Sequence, residues 1–147
     1  MNSFGRAQIL MMIPHAGAMC LLDEVQDWGT DWVRCLSHRY ADQDNPLRRP
    51  DGTLGAACGI EIAAQAMAVH GRLSAKREAG SPVPGYLVSL REVRLAGPCL
   101  DAAAGPLVIE AKLLARNDGG AFYDFTVAAR DTKLLSGRAT VLFGANP

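Results

Sequence analysis

The chain has 147 residues, of which 49% are hydrophobic, and its 15 basic and 15 acidic residues give a formal net charge of zero. A chain of this length forms one hydrophobic core, so we expect a single domain over residues 1–147. The composition argues against disorder, and the zero net charge argues against electrostatic binding of nucleic acid. Small neutral or apolar partners are therefore expected.

The N-terminal segment lacks a basic region followed by an apolar core, and no apolar stretch is long enough to span a membrane. We therefore expect a soluble cytoplasmic protein. The spacing of the cysteines fits neither a metal site nor a close redox pair. They are expected to be buried reduced thiols: Cys20, Cys35, Cys58 and Cys99.

The first predicted element is a short helix from Ser3, as its cap, to Met12. Two strands rich in β-formers follow at about 21–28 and 32–40, and Gly-Thr-Asp at 29–31 joins them as a hairpin. The polar stretch 41–53 contains Asn-Pro, Arg-Pro and Asp-Gly pairs and is predicted to be a long connecting loop. Long loops of compact domains often carry function.

A long helix is predicted from about Leu54 to Ala75, where alanine and glycine are frequent and almost nothing is polar. A helix that is apolar on nearly all sides is buried, and small side chains allow a sheet to curl closely over it. The four strands expected after the helix are 84–95, 107–115, 121–130 and 133–143. This order predicts an α+β fold with a largely antiparallel sheet of about six strands.

Glu61 is the most informative single position, because it is a carboxylate in the first turns of an apolar helix. Burial is expected to raise its pKa and make it a general acid. The alternative is that Glu61 only stabilises the helix N-terminus or pairs with an arginine across an interface. Gln65 lies one turn further and is expected to bond Glu61 or to line the same pocket.

Three histidines are candidates for an acid or base. His38 ends a predicted strand just before the long loop, which favours a place near a pocket mouth. His15 lies in a turn after the first helix, where a structural hydrogen bond is the simpler role. His70 lies near the C-terminal end of the long helix, where its ring can interact favourably with the helix dipole. The unpaired N–H groups at the helix start, near Ala57, can hold a carbonyl oxygen that gains charge during a reaction.

Residues 13–23 are Ile-Pro-His-Ala-Gly-Ala-Met-Cys-Leu-Leu-Asp, and residues 61–65 are Glu-Ile-Ala-Ala-Gln. The first segment resembles the N-terminal motif of bacterial 3-hydroxyacyl-acyl-carrier-protein dehydratases, and the second resembles the motif in their central helix. The resemblance covers nearly the whole chain and implies the hotdog fold, a curved sheet around one long helix. Asn-Pro-Leu-Arg at 45–48 and the helix from Gly59 to Gly71 are similar to the dehydratase-like proteins of aryl polyene pigment clusters.

One departure concerns the catalytic histidine of the family, which lies in a His-Phe-Pro-Gly motif shortly before the helix. The corresponding loop here has no histidine and places Leu47 near that position, with Asn45 close by. We assign the base to His38, the nearest available histidine at the head of the same loop, and the acid to Glu61, with His15, Asn45, Ala57 and Gln65 as substrate-binding residues. Whether His38 or His15 is the base stays open at this stage.

The resemblance implies dehydration of a 3-hydroxyacyl thioester on acyl carrier protein to the trans-2-enoyl thioester, in fatty-acid-like or polyene biosynthesis. It implies no cofactor beyond the carrier's phosphopantetheine. We expect no metal because the ligand spacing for one is absent, and a homodimer because one sheet around one helix leaves an outer strand edge and a tunnel mouth for a second copy to cover. Arg39, Arg48 and Arg49 of the long loop are expected to meet an acidic carrier. The alternatives are a hotdog thioesterase and a non-catalytic acyl-binding or assembly subunit.

Overall fold

The computed structural model describes residues 2–74, 85–101, 103, 105–117 and 119–143. It contains seven strands, two α-helices and two short 3-10 turns, at Gly17–Met19 and Arg39–Ala41. In chain order the strands and helices are β1 (Phe4–Gly5), α1 (Arg6–Leu10), β2 (Glu24–Gly29), β3 (Trp32–Ser37), α2 (Cys58–Ser74), β4 (Gly85–Leu95), β5 (Leu107–Asn117), β6 (Gly120–Ala129) and β7 (Thr132–Phe143).

All seven strands form one antiparallel sheet in the order β1-β2-β3-β5-β6-β7-β4. The α+β prediction and the hairpin between β2 and β3 are confirmed. The sheet has one strand more than predicted, because Phe4 and Gly5 pair with Val25 and Glu24 of β2.

Helix α2 packs against the sheet, chiefly on β3, β5 and β6. Strands β3 and β6 alternate between buried and more open residues, as expected for a sheet with one face on a core. Gly59 shows why small residues are needed in α2, because a Cβ there would collide with the side chain of Leu135 on β7. The predicted close approach of sheet and helix is therefore present.

Several element boundaries differ from the sequence prediction. Ser3 caps no helix; α1 begins after Gly5, which has extended backbone angles, because the preceding residues pair with β2. Strand β3 ends at Ser37, since His38 begins a 3-10 turn. Helix α2 begins at Cys58 rather than near Leu54, and Gly55 instead bridges to Cys99. The predicted helix end at Ala75 and strand start at Pro84 lie outside the described residues.

Strand β4 lies at one edge of the sheet and pairs only with β7 among the described strands. Its register shifts twice, and Glu92 in the second irregular stretch has a φ of 53°. Its exposed large apolar residues are Leu87, Val88, Leu90 and Leu95. An open edge with exposed apolar side chains is a surface on which another chain can pair.

Candidate active site

The site is built around His15 and Glu61, which come from separate elements. The Nε2 atom of His15 lies 3.1 Å from Oε1 of Glu61. Their side chains are 25% and 33% exposed, so the pair is partly covered but open to solvent on one side. An imidazole and a carboxylate in contact at an open position form a pair able to move protons.

Glu61 lies in the first turn of α2, where the helix dipole favours a carboxylate. The sequence predicted a carboxyl group buried among apolar side chains, and that part of the prediction is wrong. Glu61 lies on the side of α2 turned away from the sheet, and its neighbours Ile60 and Ala64 are also partly open. The histidine, rather than apolar burial, is the main feature of its surroundings.

The second ring nitrogen of His15, Nδ1, is buried and has no hydrogen-bond partner within the described part of the chain. Buried polar atoms are usually hydrogen-bonded, and an unpaired one is costly. One side of the ring thus contacts a carboxylate while the other presents a nitrogen without a protein partner.

Gln65 lies one turn beyond Glu61 on α2 and is fully buried. Its Nε2 donates to the carbonyl of Met19 at 2.8 Å, and its Oε1 accepts from the N–H of Leu21 at 2.9 Å. The expected bond to Glu61 is absent in the described structure because both ends of the amide are engaged by backbone. Gln65 instead holds the segment that follows His15.

His38 lies at the other end of β3 from the β2–β3 hairpin and is exposed. Its backbone N–H donates to Oδ2 of Asp23 at 2.6 Å, and the N–H and Nε of Arg39 also bond that carboxylate, at 3.1 and 2.9 Å. Asp23 thereby fixes the turn into the long loop. The structure brings His15, and not His38, into contact with Glu61.

Asn45 stabilises the long loop through hydrogen bonds between its side chain and the backbone. Its side chain is buried, its Nδ2 donates to the carbonyls of Arg39 and Tyr40 at 3.4 Å each, and its Oδ1 accepts from the N–H of Leu47 at 2.9 Å. The partners of its side chain therefore lie in the loop or in the turn just before it. These contacts give Asn45 a structural role, and its contact with substrate stays a prediction.

Ala57 immediately precedes α2 and is exposed. The N–H groups of the next three residues bond carbonyls three positions back, whereas the N–H of Ala57 has no acceptor among the described residues. Glu61 lies four residues further, about 6 Å along the helix axis. A free donor therefore lies near the carboxylate, as the sequence prediction requires.

Two cavities lie elsewhere. One of about 360 Å³ is lined by β3, β5 and β6 around Trp32, Glu110 and Asp124. The other, of about 230 Å³, lies between the long loop near Arg48 and the segment after β4 that contains Asp101. Neither cavity includes His15 or Glu61. The residues that the structure describes contain no cluster of side chains suited to hold a metal ion, and none of their helices is long and apolar enough to cross a membrane.

The pairing of His15 with Glu61 was not foreseen, although both residues were singled out. The sequence signal near His15 was Gly17, where a φ of 55° turns the chain; it marks a turn and does not identify the partner of the histidine. Arg6, whose guanidinium contacts the same segment, was also missed. No sequence pattern marks a single arginine at the start of a short helix.

A family model described as ApeP-like, ApeP dehydratase, matches residues 7–146. No curated protein matches the chain.

Solved structures of the same fold are similar to the chain over most of its length. The dehydratase heterocomplex ApeI:P from Xenorhabdus doucetiae matches with a TM-score of 0.81 and 24% identity, over 94% of this chain and 91% of that one. A thioesterase from Haemophilus influenzae matches with a TM-score of 0.65 and 12% identity, over 95% and 90%. A thioesterase family protein from Silicibacter pomeroyi matches with 0.66 and 15%, over 94% and 96%. At these identities the structural likeness shows the hotdog fold alone.

Proposed function

The chain belongs to the ApeP-like dehydratase family, and from this premise we propose that it removes water from a carrier-linked 3-hydroxyacyl thioester with His15 and Glu61 as the catalytic pair. The family membership makes the chain a dehydratase-type lyase, and we propose that it serves polyene biosynthesis, as its resemblance to the proteins of aryl polyene clusters implies. The observation that supports the catalytic assignment is the 3.1 Å contact between His15 Nε2 and Glu61 Oε1.

The reaction requires a base for the C2 proton and an acid for the C3 hydroxyl. Nδ1 of His15 is buried and Nε2 contacts Glu61, so a neutral imidazole with its proton on Nδ1 has its lone pair on Nε2, the nitrogen at the pair. We assign the base to Nε2, which takes the C2 proton as the C2–H bond breaks. This replaces His38 as the candidate base, because the exposed His38 has no contact with Glu61 in the described structure.

Glu61 supplies the second proton. In the reactive state Glu61 carries a proton, which passes to the C3 hydroxyl as the C–O bond breaks and water leaves. The electron pair of the C2–H bond becomes the C2–C3 double bond of the enoyl product. The pair is left as imidazolium and carboxylate, and proton exchange with solvent restores the starting state.

The N–H of Ala57 is our candidate for polarising the thioester carbonyl. Charge develops on that oxygen as the C2 proton leaves, and a fixed donor at a helix start stabilises it. Ala57 has the required free N–H, one turn from Glu61. Because this donor belongs to the backbone, most substitutions of Ala57 keep it, and only proline, which has no backbone N–H, removes it.

Carrier recognition is assigned to Arg49. Arg39 pairs with Asp23 and Asp42, and Arg48 pairs with Asp101 with only 11% of its side chain exposed. Arg49 is exposed and has no ion pair within the described residues, and its guanidinium lies beside Gly55 just before α2. An acidic carrier reaching the start of α2 would meet this charge first.

We also propose a cytoplasmic homodimer that pairs through β4, because this edge is open and carries four exposed apolar side chains. The pair at Glu61 lies on the open side of α2, and neither cavity reaches it, so a second chain would complete a pocket for the acyl group. The matched X. doucetiae structure is a heterocomplex, which makes a different chain of the same fold the alternative partner.

The shared fold with the H. influenzae and S. pomeroyi proteins keeps a thioesterase as the second candidate. In that case Glu61 would activate water on the thioester carbonyl instead of protonating a hydroxyl. The two reactions leave different products, so one assay separates them.

The test is incubation with a panel of carrier-linked 3-hydroxyacyl and trans-2-enoyl thioesters, followed by mass spectrometry of the acyl group. Loss or gain of one water on the carrier is the expected result. Release of a free acid would support the thioesterase. If the acyl group stays unchanged with every member of the panel, whether the chain is tested alone or with a partner chain of the same fold, the result would support a non-catalytic acyl-binding or assembly subunit.

A further inference from the structure

Arg6 is the first residue of α1, and its guanidinium binds only backbone carbonyls among the described residues. Nη1 donates to Cys20 at 2.6 Å and to Leu22 at 3.2 Å, and Nη2 donates to Gly17 at 2.7 Å. No carboxylate in the described part of the chain lies within ion-pair distance of it. A charged side chain that uses its donors on one short segment fixes the path of that segment.

The segment in question follows His15 directly. Gln65 holds it at Met19 and Leu21, and Arg6 holds it at the three carbonyls named above. These two side chains come from different helices. Gly17, two residues after His15, is bound by Arg6 through its carbonyl and turns the chain with its φ of 55°.

From this arrangement we infer that Arg6 is a positioning residue for the reaction, because it sets where the His15 ring stands relative to Glu61. The inference rests on the proposed function, since it gives Arg6 a task only if His15 is catalytic. Lysine keeps the charge but cannot span carbonyls in the forked geometry of a guanidinium. Arg6→Lys should therefore keep the fold and misplace the ring.

The experiment compares Arg6→Lys, Arg6→Ala and the control Gln8→Ala, an exposed position in the same helix. Each is measured with the carrier-linked 3-hydroxyacyl thioester, alone and combined with His15→Ala. We expect Arg6→Lys to lower kcat about 10- to 100-fold, the cost of a small misplacement, with KM changed less than about twofold. In the His15→Ala background the same substitution should leave the residual rate unchanged.

A second readout does not depend on turnover. In ¹⁵N-labelled protein the ring signals of His15 should shift in Arg6→Lys, while those of His38 and His70 stay in place. The ring signals show whether Arg6 positions His15 even if Arg6→Ala does not fold or the residual rate is too low to measure.

Either a wild-type kcat or unshifted His15 ring signals in Arg6→Lys would overturn the inference. So would an equal loss of kcat when Arg6→Lys is introduced into the wild type and into the His15→Ala variant. Should His15→Ala lose turnover while Arg6→Lys does not, only the positioning role fails. Should His15→Ala keep wild-type turnover, the proposed function fails and the positioning role with it.

Discussion

Glu61 and Gln65 lie one turn apart on α2 and have separate tasks: Glu61 contacts the His15 ring, and Gln65 binds the backbone of the segment that follows that histidine. One turn of helix thus supplies both the carboxylate of the proposed catalytic pair and a support for its partner. A carboxylate that must meet an imidazole from a loop requires that loop to be fixed.

Gln65→Ala is expected to lower the free energy of unfolding by about 2 to 3 kcal/mol, because it leaves a buried N–H and a partly buried carbonyl without partners. Urea unfolding followed by circular dichroism measures this loss. Gln43→Ala, at an exposed position of the long loop, is the control and should change stability by less than about 0.5 kcal/mol. Equal effects of the two substitutions would show that the Gln65 bonds are not stabilising.

A buried histidine makes the stability depend on pH. The Nε2–H of His70 donates to the carbonyl of Gly29 at 3.1 Å, so Nδ1 of the neutral ring accepts from the hydroxyl of Tyr123 at 2.8 Å. Burial lowers the pKa of His70 below its ordinary value, and it raises the pKa of Tyr123 to about 12.

The unfolded chain therefore binds a proton at His70 more readily than the native one does. Stability from the neutral ring is present above the ordinary histidine pKa of about 6.5 and is lost as the pH falls below it. The free energy of unfolding should fall between pH 7.5 and 5 more steeply in the wild type than in His70→Asn. Asparagine cannot titrate, and it can still accept from Tyr123. A wild-type slope no steeper than that of the variant would contradict this role, and His38→Asn serves as the exposed control.

The cysteines should differ in reactivity. Burial raises the pKa of Cys35 to about 12 and also raises that of Cys58. Because the thiolate is the reactive form, native protein at pH 8 should leave Cys35 and the buried Cys20 unlabelled by iodoacetamide, while partly exposed Cys99 reacts first. Peptide mapping by mass spectrometry gives the order, and all four should react in urea. Early labelling of Cys35 in the native protein would refute its burial.

The carrier contact predicts a difference between substrates. Arg49→Glu should raise KM for a carrier-linked substrate about tenfold and leave KM for the same acyl group on free pantetheine unchanged, because only the carrier is acidic. Arg72→Glu, an exposed arginine near the other end of α2, is the matched control. An equal rise with both substrates would place Arg49 at the acyl group instead.

The homodimer can be tested on the edge strand. Leu90→Lys places a charge on the exposed face of β4, and charged residues protect strand edges from pairing. Light scattering should give a dimer for the wild type and a monomer for the variant. A wild-type monomer that becomes a dimer only with a second chain of the same fold would favour the heterocomplex.

Much of the fold followed from local patterns. The hairpin of β2 and β3 was visible because turn residues separate two runs of β-formers, and α2 because good helix formers run through it with almost no polar side chain. Strand β1 was missed because two residues, Phe4 and Gly5, carry no periodicity and pair only through the tertiary fold.

The site was only partly predictable for the same reason. Glu61 was identified from its place on the helix, but its contact with His15 joins residues 46 positions apart and depends on the path of an irregular segment. Gln65 and Asn45 were expected at the substrate, whereas their amide groups bond backbone. A sequence shows that a polar group is present in an apolar setting; it does not show which partner satisfies it.

The catalytic pair is tested most directly by the rate of water loss from a carrier-linked 3-hydroxyacyl thioester in four single variants, with melting temperature as the control for folding. Glu61→Gln and His15→Asn should each lower the rate by about two to four powers of ten, as expected for loss of a positioned acid or base. His38→Asn and Gln8→Ala should stay within about twofold of the wild type, as expected for exposed positions outside the site. Wild-type turnover in Glu61→Gln or His15→Asn, or a loss confined to His38→Asn, would contradict the assignment.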